Sequence, residues 1–216
     1  MRHSARKTWT WTGSAIACAV LAFGAPSALA AEPGDYNTFE ITPFGGYMFG
    51  GEFEDPVDGS DRDLESDTGF GVIFDVAADS WRHYEFLYAS QTTQVEGATP
   101  IDMDVQYLQI GGIVSYEEAR RVIPYFGLTF GGAHFSPDSA GLDDETKVSF
   151  SAAGGVRIPI TDHIGVRFDA RAFITLLDTD DGQIFCVSSE GATCVIRAKG
   201  DTFAQYAASL GVTIAF

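Results

Sequence analysis

The sequence predicts an all-β fold: an eight-stranded antiparallel up-and-down barrel that crosses a membrane. Three observations predict it. From Thr38 onward apolar residues recur with period two, as in strands whose two faces meet different media. Long and short connections alternate between the segments, as in a meander closed on itself. Each segment is near the roughly 9–11 residues that a tilted strand needs to cross lipid.

The 216-residue chain can bury one core of ordinary size. Asp and Glu number 30 against 13 Lys and Arg, a net charge of -17, which argues against nucleic acid as a partner. Arg2, Arg6 and Lys7 precede an apolar stretch from Ala15 to Phe23, and Ala28-Leu29-Ala30 follows, the order of a secretory signal cleaved after Ala30. Residues 1–30 are therefore read as a signal peptide and 31–216 as the barrel, which carries -20 once the three bases leave. The apolar stretch is too short for a membrane anchor, and beyond it no apolar run approaches the roughly 18 residues a spanning helix requires, so a helical membrane protein is excluded.

The strands are expected at Phe39 to Phe49, Gly69 to Ala77, Tyr84 to Gln91, Asp102 to Tyr116, Ile123 to His134, Val148 to Ile160, Ile164 to Thr175 and Gln205 to Phe216. The last is the clearest. Tyr206, Ala208, Leu210, Val212, Ile214 and Phe216 form one face, and small or polar residues form the other. In the fourth, Asp102, Asp104 and Gln106 share parity with Leu108 and Ile110, so its start is expected to project beyond the apolar zone. Connections around residues 51–67, 92–101, 136–146 and 178–201 are long and the others short, which puts the long loops at one end and both termini at the other.

Alternation alone does not choose between a soluble barrel, apolar inside, and a membrane barrel, apolar outside. Parity places Glu40, Asp75, Glu85, Arg157, Arg167, Asp169 and Arg171 on the minor face with many glycines, which predicts an ion-paired lumen. The other face carries Phe39, Ile41, Phe70, Phe74, Tyr84, Phe86, Phe126, Leu128, Phe130 and Phe150, with aromatics near strand ends as in interfacial girdles. The competing assignment makes the charges a solvated exterior.

Several stretches carry a resemblance: Ile41-Thr42-Pro43-Phe44-Gly45-Gly46-Tyr47, Tyr107-Leu108-Gln109-Ile110-Gly111-Gly112, and Pro124-Tyr125-Phe126-Gly127-Leu128-Thr129-Phe130-Gly131-Gly132. With the C-terminal strand, they are similar to the barrel domain of small OmpA- and OmpX-like outer-membrane proteins. The resemblance implies a Gram-negative outer membrane, contact with its lipids and lipopolysaccharide, and a monomer. It also implies recognition of the strand ending in Phe216 by the barrel assembly machinery. It is specific for architecture and open for activity.

Four features are candidate sites. Cys186 and Cys194 flank Ser188-Ser189-Glu190-Gly191 in an exported chain, which reads as a hairpin closed by a disulfide, a bridge stabilising by about 2–3 kcal/mol. The acidic run from Glu52 to Asp67, opposed only by Arg62, is either a solvated loop or a site for divalent ions, and Asp178 to Gly182 departs from a calcium loop. His134 and Ser136 resemble the His-x-Ser pair of barrel-shaped lipid A deacylases, which implies acyl hydrolysis, with Glu145 available to orient the imidazole; an ordinary strand end followed by Pro137 is the alternative. The lumen is the fourth: plugged by ion pairs, or a narrow pore where inward Gly71, Gly127, Gly131, Gly155 and Gly211 leave space. The expected role is structural or interactive rather than enzymatic, without cofactor or metal.

Overall fold

The structure, a computed structural model, describes residues 39–54, 61–95, 101–116, 121–138, 144–177, 183–187, 193–198 and 202–216. All regular elements among them are strands: β1 (Phe39–Gly50), β2 (Glu52–Glu54), β3 (Asp61–Asp63), β4 (Asp67–Ala77), β5 (Arg82–Val95), β6 (Ile101–Ser115), β7 (Ile123–Pro137), β8 (Glu145–Pro159), β9 (Ile164–Leu176), β10 (Gln183–Val187), β11 (Thr193–Ala198) and β12 (Thr202–Ala215). Eight of them form a closed antiparallel barrel in the order β1-β4-β5-β6-β7-β8-β9-β12, with β12 pairing back onto β1. The Phe216 amide donates to the Phe39 carbonyl at 2.9 Å, so both ends of the barrel chain meet at the short-turn end.

Register fixes the shape. A row started at Ile41 passes Phe74, Phe86, Ile110, Phe130, Phe150, Ile174 and Ala204, and returns to β1 about ten residues above its start. Such a stagger over eight strands tilts them by about 40° and lifts each residue about 2.5 Å along the axis. On β7 the outward face reads Pro124, Phe126, Leu128, Phe130 and Gly132 before His134 and Ser136, an apolar height of about 22 Å, close to the ~25 Å band of membrane barrels.

Most strands run beyond their expected limits, chiefly on the long-loop side: β5 reaches Val95, β7 reaches Pro137, and β8 begins at Glu145. The extension escapes a search for outward apolar residues because there the faces exchange character. Met48, Leu64, Val95, Met103, Val105, Phe135 and Phe203 are buried inside the wall, while outside Thr92 donates to Asp104 at 2.6 Å and Gln94 to Asp102 at 2.6 Å.

The run from residue 51 to 67, expected as an open loop, supplies β2 and β3 to a second, four-stranded sheet ordered β10-β11-β2-β3. Gly50 and Gly51 make the exit from β1 with φ of 83° and 103°, where a side chain would be strained. The expected hairpin is β10 paired with β11, in which Cys186 and Cys194 are backbone partners. Their side chains, and the Asp178 to Gly182 segment, lie outside the described residues.

Candidate functional site

Up-and-down pairing sorts the lumen charges onto two walls. Glu40, Asp75 and Glu85 are successive cross-strand partners on β1, β4 and β5. Arg157 and Arg167 are partners on β8 and β9, with Asp169 and Arg171 further along β9. In a ring of eight, β4 faces β8 and β5 faces β9. Like charges side by side on a sheet repel; here each wall is neutralised across the bore.

Arg157 Nη2 lies 3.0 Å from Glu40 Oε2 and 2.9 Å from Asp75 Oδ2. Arg167 donates to Asp75 Oδ2 at 2.9 Å, to Glu85 Oε2 at 2.6 Å and to Asp169 Oδ2 at 3.2 Å. Arg171 donates to Glu85 Oε1 at 2.8 Å and to Asp169 Oδ1 at 3.3 Å. Tyr125 ties the group together: its hydroxyl accepts from Arg167 Nε at 2.8 Å and donates to Asp169 at 2.5 Å, under a guanidinium 4.5 Å from the ring centroid. Arg167 is only 1% exposed, so its charge survives burial through these partners.

Toward the long-loop end the filling becomes less polar. Thr129 donates to Gln109, and Gln109 donates to Ser149. Tyr107 then stacks on Phe173 with centroids 4.0 Å apart and donates to Gln205, which donates to Gln91. Above lies the apolar cluster, with Phe135 edge-on to Phe203 at 5.4 Å. The inward glycines do not leave open space as expected. A Cβ at Gly155 would lie 2.6 Å from the Tyr125 hydroxyl, one at Gly71 would meet the Phe44 ring, and one at Gly131 the Leu108 carbonyl. Absent side chains make room for the rings that fill the bore.

At the short-turn end a cavity of about 280 Å³ opens, lined among others by Glu40, His83, Ser115 and Arg157. His83 shares parity with Glu85 on β5, which turns it toward the bore. On the outside of the wall near the long loops, Ser136 donates to Asp144 at 2.7 Å and His134 Nδ1 meets Thr146 Oγ1 at 2.9 Å. The carboxylate near this pair is Asp144, 3.9 Å from His134 Nε2, whereas Glu145 pairs with Lys147 at 3.1 Å. The serine hydroxyl is thus held by a carboxylate rather than by the imidazole that acyl transfer requires as base.

An exposed belt of Phe70, Leu108, Phe126, Leu128 and Phe130 around a charged interior defines an integral membrane barrel. The chain belongs to the outer membrane protein beta-barrel domain family, whose model matches residues 15–216. No curated protein sequence matches the chain. Its fold is similar to that of Neisserial surface protein A, at 12% identity and a TM-score of 0.57, covering 83% of this chain and 97% of that one. It is also similar to OprG of Pseudomonas aeruginosa, at 13% identity and a TM-score of 0.51, covering 84% and 97%. The protein resides in the outer membrane. In such barrels the short turns face the periplasm and the long loops the exterior.

Proposed function

We propose that the protein is a structural or surface-interaction barrel rather than a pore or an enzyme. The observation that carries this reading is a bore filled in two unlike layers, ionic below and apolar above. Between them lies a cavity of about 20 Å³, room for about one water. In planar bilayers the purified barrel is expected to give no reproducible conductance steps; a steady unitary current would overturn the closed-bore reading in favour of a narrow pore. Expression that left lipid A acylation altered would in turn favour hydrolysis by His134 and Ser136.

In this reading residues 1–30, outside the described residues, direct export. The acidic long loops face the medium among lipopolysaccharide, and the assembly machinery reads the strand ending at Phe216, 64% exposed beside β1. The protein works as a monomer. Cys186 and Cys194 form a disulfide, supported by their backbone pairing on β10 and β11. Denatured protein from the outer membrane is expected to take up maleimide only after reduction; labelling without reductant would exclude the bridge.

A further inference from the structure

The periplasmic vestibule combines three independent features. The first is charge: four carboxylates, Glu40, Asp75, Glu85 and Asp169, face three guanidiniums, Arg157, Arg167 and Arg171, so the network lacks one positive charge. An uncompensated charge at such low exposure is costly. The second is unmet hydrogen bonding. Among the described residues, the buried side-chain atoms without a hydrogen-bond partner are the acceptors Asp75 Oδ1 and Ser115 Oγ, the ring atom His83 Nδ1, the donor Arg157 Nε, and Glu40 Oε2, which the Arg157 guanidinium meets as an ion pair at 3.0 Å. All belong to the vestibule or, for Asp75, to the direct cross-strand partner of Glu40. Asp75 is 0% exposed, sealed from water outside the barrel, and Ser115, 5% exposed, lines the cavity. The third is space: the cavity of about 280 Å³ holds far more than a bare ion.

We propose that the vestibule binds a small monovalent cation, a protonated amine or a hydrated alkali-metal ion, at the Glu40 and Asp75 carboxylates, with Ser115 Oγ as a neutral acceptor. Carboxylate and hydroxyl oxygens accept hydrogen bonds and so suit such a guest. A chelated divalent metal does not fit, because no three His, Cys, Asp or Glu side chains among the described residues converge on one point. The other charged groups at the mouth are already engaged: Asp79 pairs with Arg82, and Asp162 has partners of its own. The site would open to the periplasm and is independent of whether the bore conducts.

The test uses protein extracted folded from outer membranes, titrated calorimetrically with methylammonium chloride, NaCl or KCl at constant ionic strength held with tetraethylammonium chloride, a bulky quaternary cation with no N–H to donate. Saturable binding of at least one cation is expected, weakened tenfold or more in Glu40→Gln and several-fold in Ser115→Val. Asp104→Asn on the outer wall, which removes the same charge elsewhere, leaves it unchanged. Heat-modifiable gel migration verifies that each variant is folded, and Glu40→Gln should fold because it balances the network at three against three. Binding of methylammonium alone identifies an amine site, and binding of Na+ or K+ an ion site. Absence of saturable heat with all three, or equal affinity in wild type and Glu40→Gln, overturns the proposal. So does a thermal midpoint that follows pH but none of the cations, since a proton would then balance the network.

Discussion

The periplasmic half of the bore and its extracellular end are built from the same strands by opposite rules. Below, β5 and β9 turn Glu85, Arg167 and Arg171 inward and Phe86, Phe168 and Ile174 outward. Above, the strands turn Val95, Met103, Phe135 and Phe203 inward and Thr92, Asp104, Ser136 and Thr146 outward. Period two persists throughout; what changes is the medium outside the wall. Where acyl chains surround the barrel the polar groups retreat into the bore and satisfy one another, and where water surrounds it the barrel reverts to an apolar core. The inversion places the polar boundary near Ser90, Gln106 and His134.

The strongest way to break this comparison is to strike each layer at its centre. Arg167→Met leaves Asp75, Glu85 and Asp169 short of a buried partner and is expected to lower unfolding free energy by about 3–5 kcal/mol. Phe203→Ala empties the apolar layer and is expected to cost a similar ~3–5 kcal/mol. Urea titration of lipid-embedded barrel, followed by Trp81 fluorescence, measures both. Because the layers share none of these partners, the double variant should lose the sum to within about 0.5 kcal/mol. Strong coupling would mean that the bore packs as one unit.

A second pair sharpens the boundary. Leu128→Arg places a charge against acyl chains near mid-belt and is expected to cost about 2–4 kcal/mol, whereas Gln106→Arg, at the next outward position beyond Leu108 on β6, is expected to cost about 0–1 kcal/mol. Equal penalties at the two sites would place the water boundary higher on the wall.

That boundary also divides what was legible in the sequence. Within the belt, Phe126, Leu128 and Phe130 alternate against inward polar and small residues strongly enough to locate β7, and parity alone assigns Arg167 to the bore. Beyond it the rule that apolar means outward fails, so the inward burial of Val95, Met103 and Phe135 is not legible and the strands expected at Tyr84 to Gln91 and Ile123 to His134 stop short of β5 and β7. The placing of Asp75 and Glu85 opposite Arg157 and Arg167 depends on which strands face one another across the ring, information no single segment carries. The sheet joining β2 and β3 to β10 and β11 is hidden because three-residue strands have no measurable period and β2 meets β11 more than a hundred residues away.

The smallest effect sets the value of an ion pair once burial is removed. Asp79, in the turn between β4 and β5, pairs with Arg82 through a hydrogen bond of 2.7 Å and accepts the amides of Trp81 at 3.1 Å and Arg82 at 2.8 Å. Slight burial raises its carboxyl pKa, but the Arg82 contact and the two amides outweigh it, so the folded-state value lies below the ordinary 3.8. A carboxylate lowered in this way stabilises the fold above its unfolded pKa and loses that contribution as pH falls through the folded one. Asp79→Ala is therefore expected to cost less than about 1 kcal/mol at neutral pH, in a solvated turn where screening is strong. The gap between variant and wild type should close as the pH is taken below about 3.8. A loss at neutral pH as large as that of Arg167→Met would show that solvent exposure does not separate the two ion pairs, and the contrast between lumen and surface would fail at this end of the barrel.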